Sequence, residues 1–237
     1  MTEKTIGILG GMGPEATLDL FGKIIANTPA TRDQDHLRVV IDSNPKVPDR
    51  TAAILAGGES PVPAMQSGIA ALKRAGAGFV AIPCVSAHFF LDELQREAGL
   101  LILSMFDVTA EHIRQNHAHI RTVGMLATTG TIKGGRFRAK LEQSGVAILT
   151  PEATDQERVM AAIYAIKGAA GVRDREAIGA EIRAVADRLV QCGAQGVVAG
   201  CTEISLVLRP GDLDVPVFDT LLLLARAAIA AAGRTPV

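Results

Sequence analysis

Two cysteines close matching stretches of this chain. "GAGFVAIPC" ends at Cys84 and "GAQGVVAGC" ends at Cys201. Each is an apolar, strand-like run followed by a polar segment that reads as the start of a helix: Val85-Ser86 after the first thiol, Thr202-Glu203 after the second. A thiol is a usable acid or base because its ordinary pKa, about 8.5, leaves a few per cent of thiolate near neutrality. A helix N-terminus just beyond each sulfur is expected to favour that thiolate. Two such groups on opposite faces of one carbon can remove a proton from one side and return one to the other, which inverts the configuration. In the reverse direction they exchange roles. His88, four residues after Cys84, and Glu203, two after Cys201, stand near enough in sequence to orient or accept a proton. Cys192 matches Ala75 in the other half and precedes Gly193, so it reads as a packing residue. No CxxC or HxxxH spacing offers further ligands for a metal near Cys84 and His88.

The elements that must position these thiols alternate along the chain. Strand-like "KTIGILGG", "HLRVVIDSN" and "GFVAIPC" are separated by helix-like "GPEATLDLFGKIIANT" and "SPVPAMQSGIAALKRAGA", and "SAHFFLDELQREAG" follows as a helix. A second series starts at "IRTVGMLATTG" and continues through "RFRAKLEQSG", "VAILTP", a helical stretch at 154–168, "DREAIGAEIRAVADRLVQCGA" and "GVVAGC". Such alternation predicts an α/β protein with mostly parallel sheets. "TIGILGGMG" from Thr5 aligns with "TVGMLATTG" from Thr122, at the same 117-position offset that carries Cys84 onto Cys201. A duplicated α/β unit explains both matches. Two similar halves are expected to pack about a pseudo-twofold axis, and ligands of open α/β sheets bind beyond the carboxyl ends of strands. The two thiols are therefore expected on opposite walls of one cleft. The first domain is expected to span 1–105 plus 211–237, and the second 106–210.

Composition narrows the function classes. The chain has 237 residues, net charge −1, 3% aromatics and no Trp, with acidic and basic residues intermixed. A nucleic-acid groove needs excess positive charge and stacking rings, so no nucleic-acid partner is expected. The apolar "LLLLARAAIAAAG" (221–233) is interrupted by Arg226 and is shorter than the roughly 20 residues of a membrane span. It reads as a buried C-terminal helix, and no membrane association is expected. No charged n-region and long apolar stretch precedes the first strand-like run at Thr5, and the three cysteines form no disulfide framework. A cytoplasmic protein with free thiols is expected. In "GGMGPEAT", Gly11, Gly13 and Ala16 make a loose GxGxxA with Asp42 downstream, but Pro14 removes an N–H where a pyrophosphate would need one. The loop reads better as a cradle of bare N–H groups for a small carboxylate, with the hydroxyls of Thr128, Thr129 and Thr131 in "ATTGT" serving from the other half.

With these residues in hand, the chain resembles the aspartate/glutamate racemase family, the PLP-independent amino-acid racemases. "GILGGMGPEAT", "SNPKVPDRT", "IPCVSAH", "LATTGTI", "IYAIKG" and "GCTE" follow that family's motifs in its order, nearly end to end. The resemblance implies two flavodoxin-like (Rossmann-like) domains, a cleft between them, a two-cysteine mechanism without a cofactor and a homodimer. It makes Cys84 and Cys201 the acid/base pair. Arg50 and Lys167 match positions that grip a substrate's side-chain carboxylate, and Thr128, Thr131 and Thr202 match contacts to its α-carboxylate and amine. Met12 matches a cleft-lining position. Val85-Ser86 stands where the family usually has Asn-Thr, so Ser86 keeps a hydroxyl while Val85 loses an amide beside the substrate's head group. The expected activity is interconversion of L and D forms of an acidic amino acid, aspartate before glutamate. Racemisation of a non-acidic amino acid, a cysteine-dependent isomerisation or decarboxylation of a small dicarboxylic acid, and a non-enzymatic carboxylate sensor remain open.

Overall fold

Strand β1 (Ile6–Gly10) is buried along its whole length, as an IGILG run flanked by helices on both faces must be. In the computed structural model, which describes residues 3–168 and 174–237, it begins a series of β1, α1 (Pro14–Asn27), β2 (Val39–Ser43), α2 (Arg50–Leu55), α3 (Val62–Arg74), β3 (Phe79–Ala81), α4 (Leu91–Ala98), β4 (Leu101–Ile102) and α5 (Met105–Asn116). The second series is β5 (Thr122–Ala127), α6 (Thr129–Gly134), α7 (Arg136–Gln143), β6 (Ala147–Leu149), α8 (Ala153–Lys167), α9 (Arg175–Gln191), β7 (Val197–Gly200), β8 (Val217–Asp219) and α10 (Thr220–Ala231). The protein is α/β, with two four-stranded sheets ordered β2-β1-β3-β4 and β6-β5-β7-β8. Every strand pair is parallel. This is the doubly wound order of flavodoxin, whose strand order reverses between the first and third strands; ligands bind at that switch point. Cys84 follows β3 and Cys201 follows β7, the strands on one side of each switch point.

The sequence repeat is also a repeat of packing. Gly7 in β1 and Gly124 in β5 sit at the 117-position offset, and a Cβ on either would strike equivalent atoms. It would meet Ala77 Cβ at 2.8 Å and Leu72 Cδ1 at 3.5 Å in one unit, and Leu189 Cβ at 3.0 Å and Ala194 Cβ at 3.5 Å in the other. Only a missing side chain lets the helix that leads into the neighbouring strand, α3 before β3 or α9 before β7, approach this closely. Backbone bonds repeat as well: Gly78 N donates to Thr5 O and Gln195 N to Thr122 O, both at 2.8 Å.

The chain divides into two compact units. The first runs to Val108 and resumes at Leu221; the second is Thr109–Thr220. The expected return to the first domain at 211 falls early, because β8 pairs with β7 and keeps 211–220 in the second unit. Helix α10 then joins the first unit, where Lys4 N donates to Ala232 O at 3.1 Å and Arg226 Nε to Asn27 Oδ1 at 3.1 Å. The expected helix from Ser86 to Gly99 is a 3-10 turn over Ser86–Phe90 leading into α4, which Gly99 ends in the left-handed region at φ 59°. Cys192 caps α9 and is exposed, so it is not a packing residue. No helix among the described residues is long and apolar enough to cross a membrane.

Candidate active site

In the first unit, the β1–α1 turn brings its backbone hard against the end of β2. Gly11 has φ +90°, and a Cβ there would lie 2.3 Å from the Asn44 carbonyl carbon, so only glycine fits. The turn is less bare than its composition suggests. Gly11 N–H donates to Thr17 Oγ1 at 2.9 Å, so that donor is already used, and Pro14 opens α1 without one. Met12 is buried in the same apolar cluster as Cys84, Val47 and Met65 and does not present an open surface.

Arg50 begins α2, which Asp49 caps by accepting from Ala52 N at 2.7 Å. Its guanidinium is aimed by main-chain oxygens alone: Nη1 donates to Val47 O at 3.1 Å and Pro48 O at 2.9 Å, and Nη2 reaches Met12 O at 3.4 Å. Its Nε is buried without a partner, and no carboxylate among the described residues pairs with it. A fixed guanidinium lacking a counter-ion suits a carboxylate brought by a ligand.

Cys84 is buried, with Sγ 3.5 Å from Ser86 Oγ. His88 makes no hydrogen bond to the sulfur. Its Nδ1 lies 2.9 Å from the Cys84 carbonyl and its Nε2 3.3 Å from the Leu103 carbonyl, so it ties down the cysteine's backbone. Burial lowers its pKa, against the pull of both carbonyls and of Asp107. A neutral ring can donate from one nitrogen only, and the shorter contact assigns the proton to Nδ1. Val85 is buried and brings no polar group to the turn.

In the second unit, Thr128 caps α6. Its Oγ1 accepts from Thr131 N at 3.1 Å and lies 3.1 Å from Thr131 Oγ1. Thr129 N points at Met160 Sδ, and Gln156 Nε2 donates to both Ala127 O and Thr129 Oγ1. Gln156 was not legible as a site residue. The available signal is its spacing on α8, one turn before Met160, which aims both side chains at the loop after β5.

Around Cys201 the groups form a chain. The thiol donates to Glu203 Oε2 at 3.0 Å, the Thr202 hydroxyl reaches the same oxygen at 3.3 Å, and Lys167 Nζ bonds Glu203 Oε1 at 2.6 Å. Cys201 and Glu203 are both buried, whereas Lys167 keeps 23% of its side chain in solvent. The expected thiolate-favouring helix is missing. A single 3-10 turn, Ile204–Leu206, follows the thiol before the chain reaches Pro210 and turns away. Burial, then the Glu203 charge, push the Cys201 thiol well above its ordinary pKa, and Lys167 pulls it back in part. Lys167 is therefore engaged by a protein carboxylate, unlike Arg50.

The geometry has relatives. Residues 9–228 match the Asp/Glu/Hydantoin racemase family. The chain belongs to that family. It superposes on Picrophilus torridus aspartate racemase with a TM-score of 0.88 at 30% identity, covering 99% of this chain and 96% of that one. An aspartate racemase homologue from Pyrococcus horikoshii OT3 gives 0.77 at 27% identity, over 98% and 100% of the two chains. In sequence, the broad specificity amino-acid racemase RacX of Bacillus subtilis (strain 168) is 25% identical over 94% of this chain and 96% of its own. Family and neighbours support an isomerase of the racemase type.

Proposed function

We propose that the protein is a cofactor-independent amino-acid racemase using Cys84 and Cys201 as its two bases, with aspartate as the first substrate to test. The observation that carries this reading is the equivalence of the two thiols. Each follows the third-position strand of a sheet of the same order, at one offset, and each carbonyl accepts from the residue three on: Ala87 N to Cys84 O at 3.2 Å, Ile204 N to Cys201 O at 2.9 Å. In this reading the two units close on one substrate, and a thiol meets each face of its α-carbon. A thiolate takes the α-proton, the resulting carbanion is shared with the α-carboxylate, and the other thiol protonates the opposite face. Arg50 receives a substrate carboxylate. Thr128, Thr131 and Thr202 supply hydroxyls around the head group.

A second reading concerns the substrate. Lys167 is bound to Glu203 and Val85 offers no amide, so the demand for a side-chain carboxylate rests on Arg50. This favours a racemase that also accepts non-acidic amino acids, in line with what the Bacillus relative is called.

Incubation of the pure protein in D₂O with L-aspartate, and separately with L-alanine, tests both readings. No PLP or metal is added. Loss of the α-proton signal together with appearance of the D enantiomer is the expected result for aspartate. Exchange with alanine at a comparable rate supports the second reading. No exchange with any amino acid overturns both.

A further inference from the structure

Glu203 is the shared acceptor of the second unit. One of its oxygens is taken by the Lys167 ammonium at 2.6 Å, and the other by the Cys201 thiol at 3.0 Å and the Thr202 hydroxyl at 3.3 Å. A carboxylate offers only lone pairs, so the bond to sulfur requires the proton to be on sulfur. Removing that proton would set a thiolate against the Glu203 carboxylate, with Lys167 the cation among the described residues that bears on both, in a place where Cys201 and Glu203 are 6% and 2% exposed. Two buried anions facing one partly solvated cation is the costlier arrangement. Cys84 has a different neighbour: the Ser86 hydroxyl at 3.5 Å, and no charged partner among the described residues.

We propose that Glu203, anchored by its ion pair with Lys167, holds Cys201 as the protonated thiol of the resting protein, which makes Cys201 the first acid and Cys84 the first base. The assignment of acid and base rests on the racemase reading; the protonation of Cys201 does not. In the first half-turnover, the α-C–H bond breaks and its proton passes to the Cys84 thiolate. The Cys201 S–H bond breaks and its proton passes to the opposite face of the carbanion. The protein is left with a Cys84 thiol and a Cys201 thiolate, the latter beside a carboxylate. That thiolate is a strong base, and it is what the other enantiomer meets. The resting protein is thus set for one enantiomer, and Glu203 sets it. Glu203 is here a positioning residue, since it acts on substrate only through Cys201.

The test reads the thiol directly and needs no turnover. Full-length protein carrying Cys84→Ser and Cys192→Ala retains Cys201 as its one cysteine. Carbon NMR of cysteine labelled at Cβ, followed against pH, reports its ionisation. The midpoint is expected above the ordinary thiol value of about 8.5. Adding Glu203→Gln is expected to lower it by about one unit or more, a roughly tenfold gain in thiolate at a fixed pH below the midpoint. A midpoint at or below the ordinary value with Glu203 intact overturns the proposal, and that result does not depend on whether Glu203→Gln folds. So does an unmoved midpoint in a folded Glu203→Gln protein, which is what a purely structural Glu203 would give. A parent protein that racemises aspartate while Cys201 titrates normally sinks this inference alone. A parent that racemises nothing while Cys201 titrates high sinks the racemase reading alone.

Discussion

The two units are alike up to the sulfur and unlike beyond it. At one offset, Gly7 corresponds to Gly124, Leu72 to Leu189, Ala77 to Ala194 and Cys84 to Cys201, with the same close approaches and the same backbone bonds. Past the thiols, the same offset sets Ser86 against Glu203 and His88 against Ser205. One turn leads into a charged helix, α4, and the other ends after three residues. The duplicated part is what places a sulfur at the end of a buried strand. The divergent part is what decides how that sulfur holds a proton. Under the proposed racemisation, a symmetric reaction would be served by two unsymmetric halves, as suits two groups that must be in opposite protonation states at any one moment.

The largest effects come from breaking the likeness at the sulfurs. Cys84→Ser and Cys201→Ser are each expected to lower kcat for racemisation by about 10³-fold or more, within the range for loss of a positioned acid or base. A hydroxyl is too weakly acidic to replace a thiol near neutral pH. Chiral chromatography of either product mixture is the check. Near-parental activity in one variant means the halves are not equivalent in function, and the two-base reading fails.

A smaller effect separates the two cations. Arg50→Ala removes a guanidinium held by main-chain carbonyls and without a carboxylate partner among the described residues, so its loss should fall on substrate binding. Charge-assisted hydrogen bonds contribute about 1.5–3 kcal/mol, so kcat/KM for aspartate should drop roughly 10- to 100-fold while that for alanine changes little. Lys167→Met instead strands the Glu203 carboxylate, which is 3% exposed. It should destabilise the fold by about 3 kcal/mol, the low end for a broken buried pair because Lys167 is partly solvated. Urea unfolding of both variants, beside their kinetics on aspartate and alanine, tests the contrast. If Lys167→Met matches the aspartate-specific loss of Arg50→Ala, Lys167 grips substrate as the family resemblance implied, and the contrast collapses.

What could be read in the sequence follows the same division. The duplicated frame was legible because β1, β3, β5 and β7 are buried runs bounded by glycine turns, and because two exact landmarks share one offset. Strands β4 and β8 were not: β4 is two residues long, and β8 runs straight into α10 with no turn between them. Missing β8 is what misplaced the boundary at 211. Cys84, Cys201 and Glu203 were visible as residue types at telling positions. Their electrostatics were not, because the short turn after Cys201 and the bond from Lys167, 36 positions from Glu203 in sequence, depend on tertiary placement. Helix-like residues after Cys201 suggested a thiolate-favouring dipole, whereas burial and a neighbouring carboxylate act in the opposite direction.

The smallest expected effect lies where His88 faces no counterpart but Ser205. His88 is buried and its pKa is lowered first by desolvation, so the folded protein takes up its proton less readily than the unfolded chain. The unfolded state therefore binds more protons as pH drops. Stability is full above the unfolded histidine value, about 6.5, and is lost as pH falls toward the folded one, by at most ~1.4 kcal/mol per pH unit for one proton. His88→Asn keeps an N–H that can reach the Cys84 carbonyl but cannot titrate. Its absolute stability should fall, because a smaller side chain leaves space beside Phe106, whose ring centroid is 5.4 Å from that of His88. Its pH dependence should be shallower than the parent's between about pH 7.5 and 5.5, the range that spans the ordinary histidine value. Parallel slopes would mean that His88 takes its proton in the folded state, held between two carbonyls as an imidazolium. The ring would then be a charge fixed at the backbone of Cys84, and the first unit would have an electrostatic control on its thiol after all.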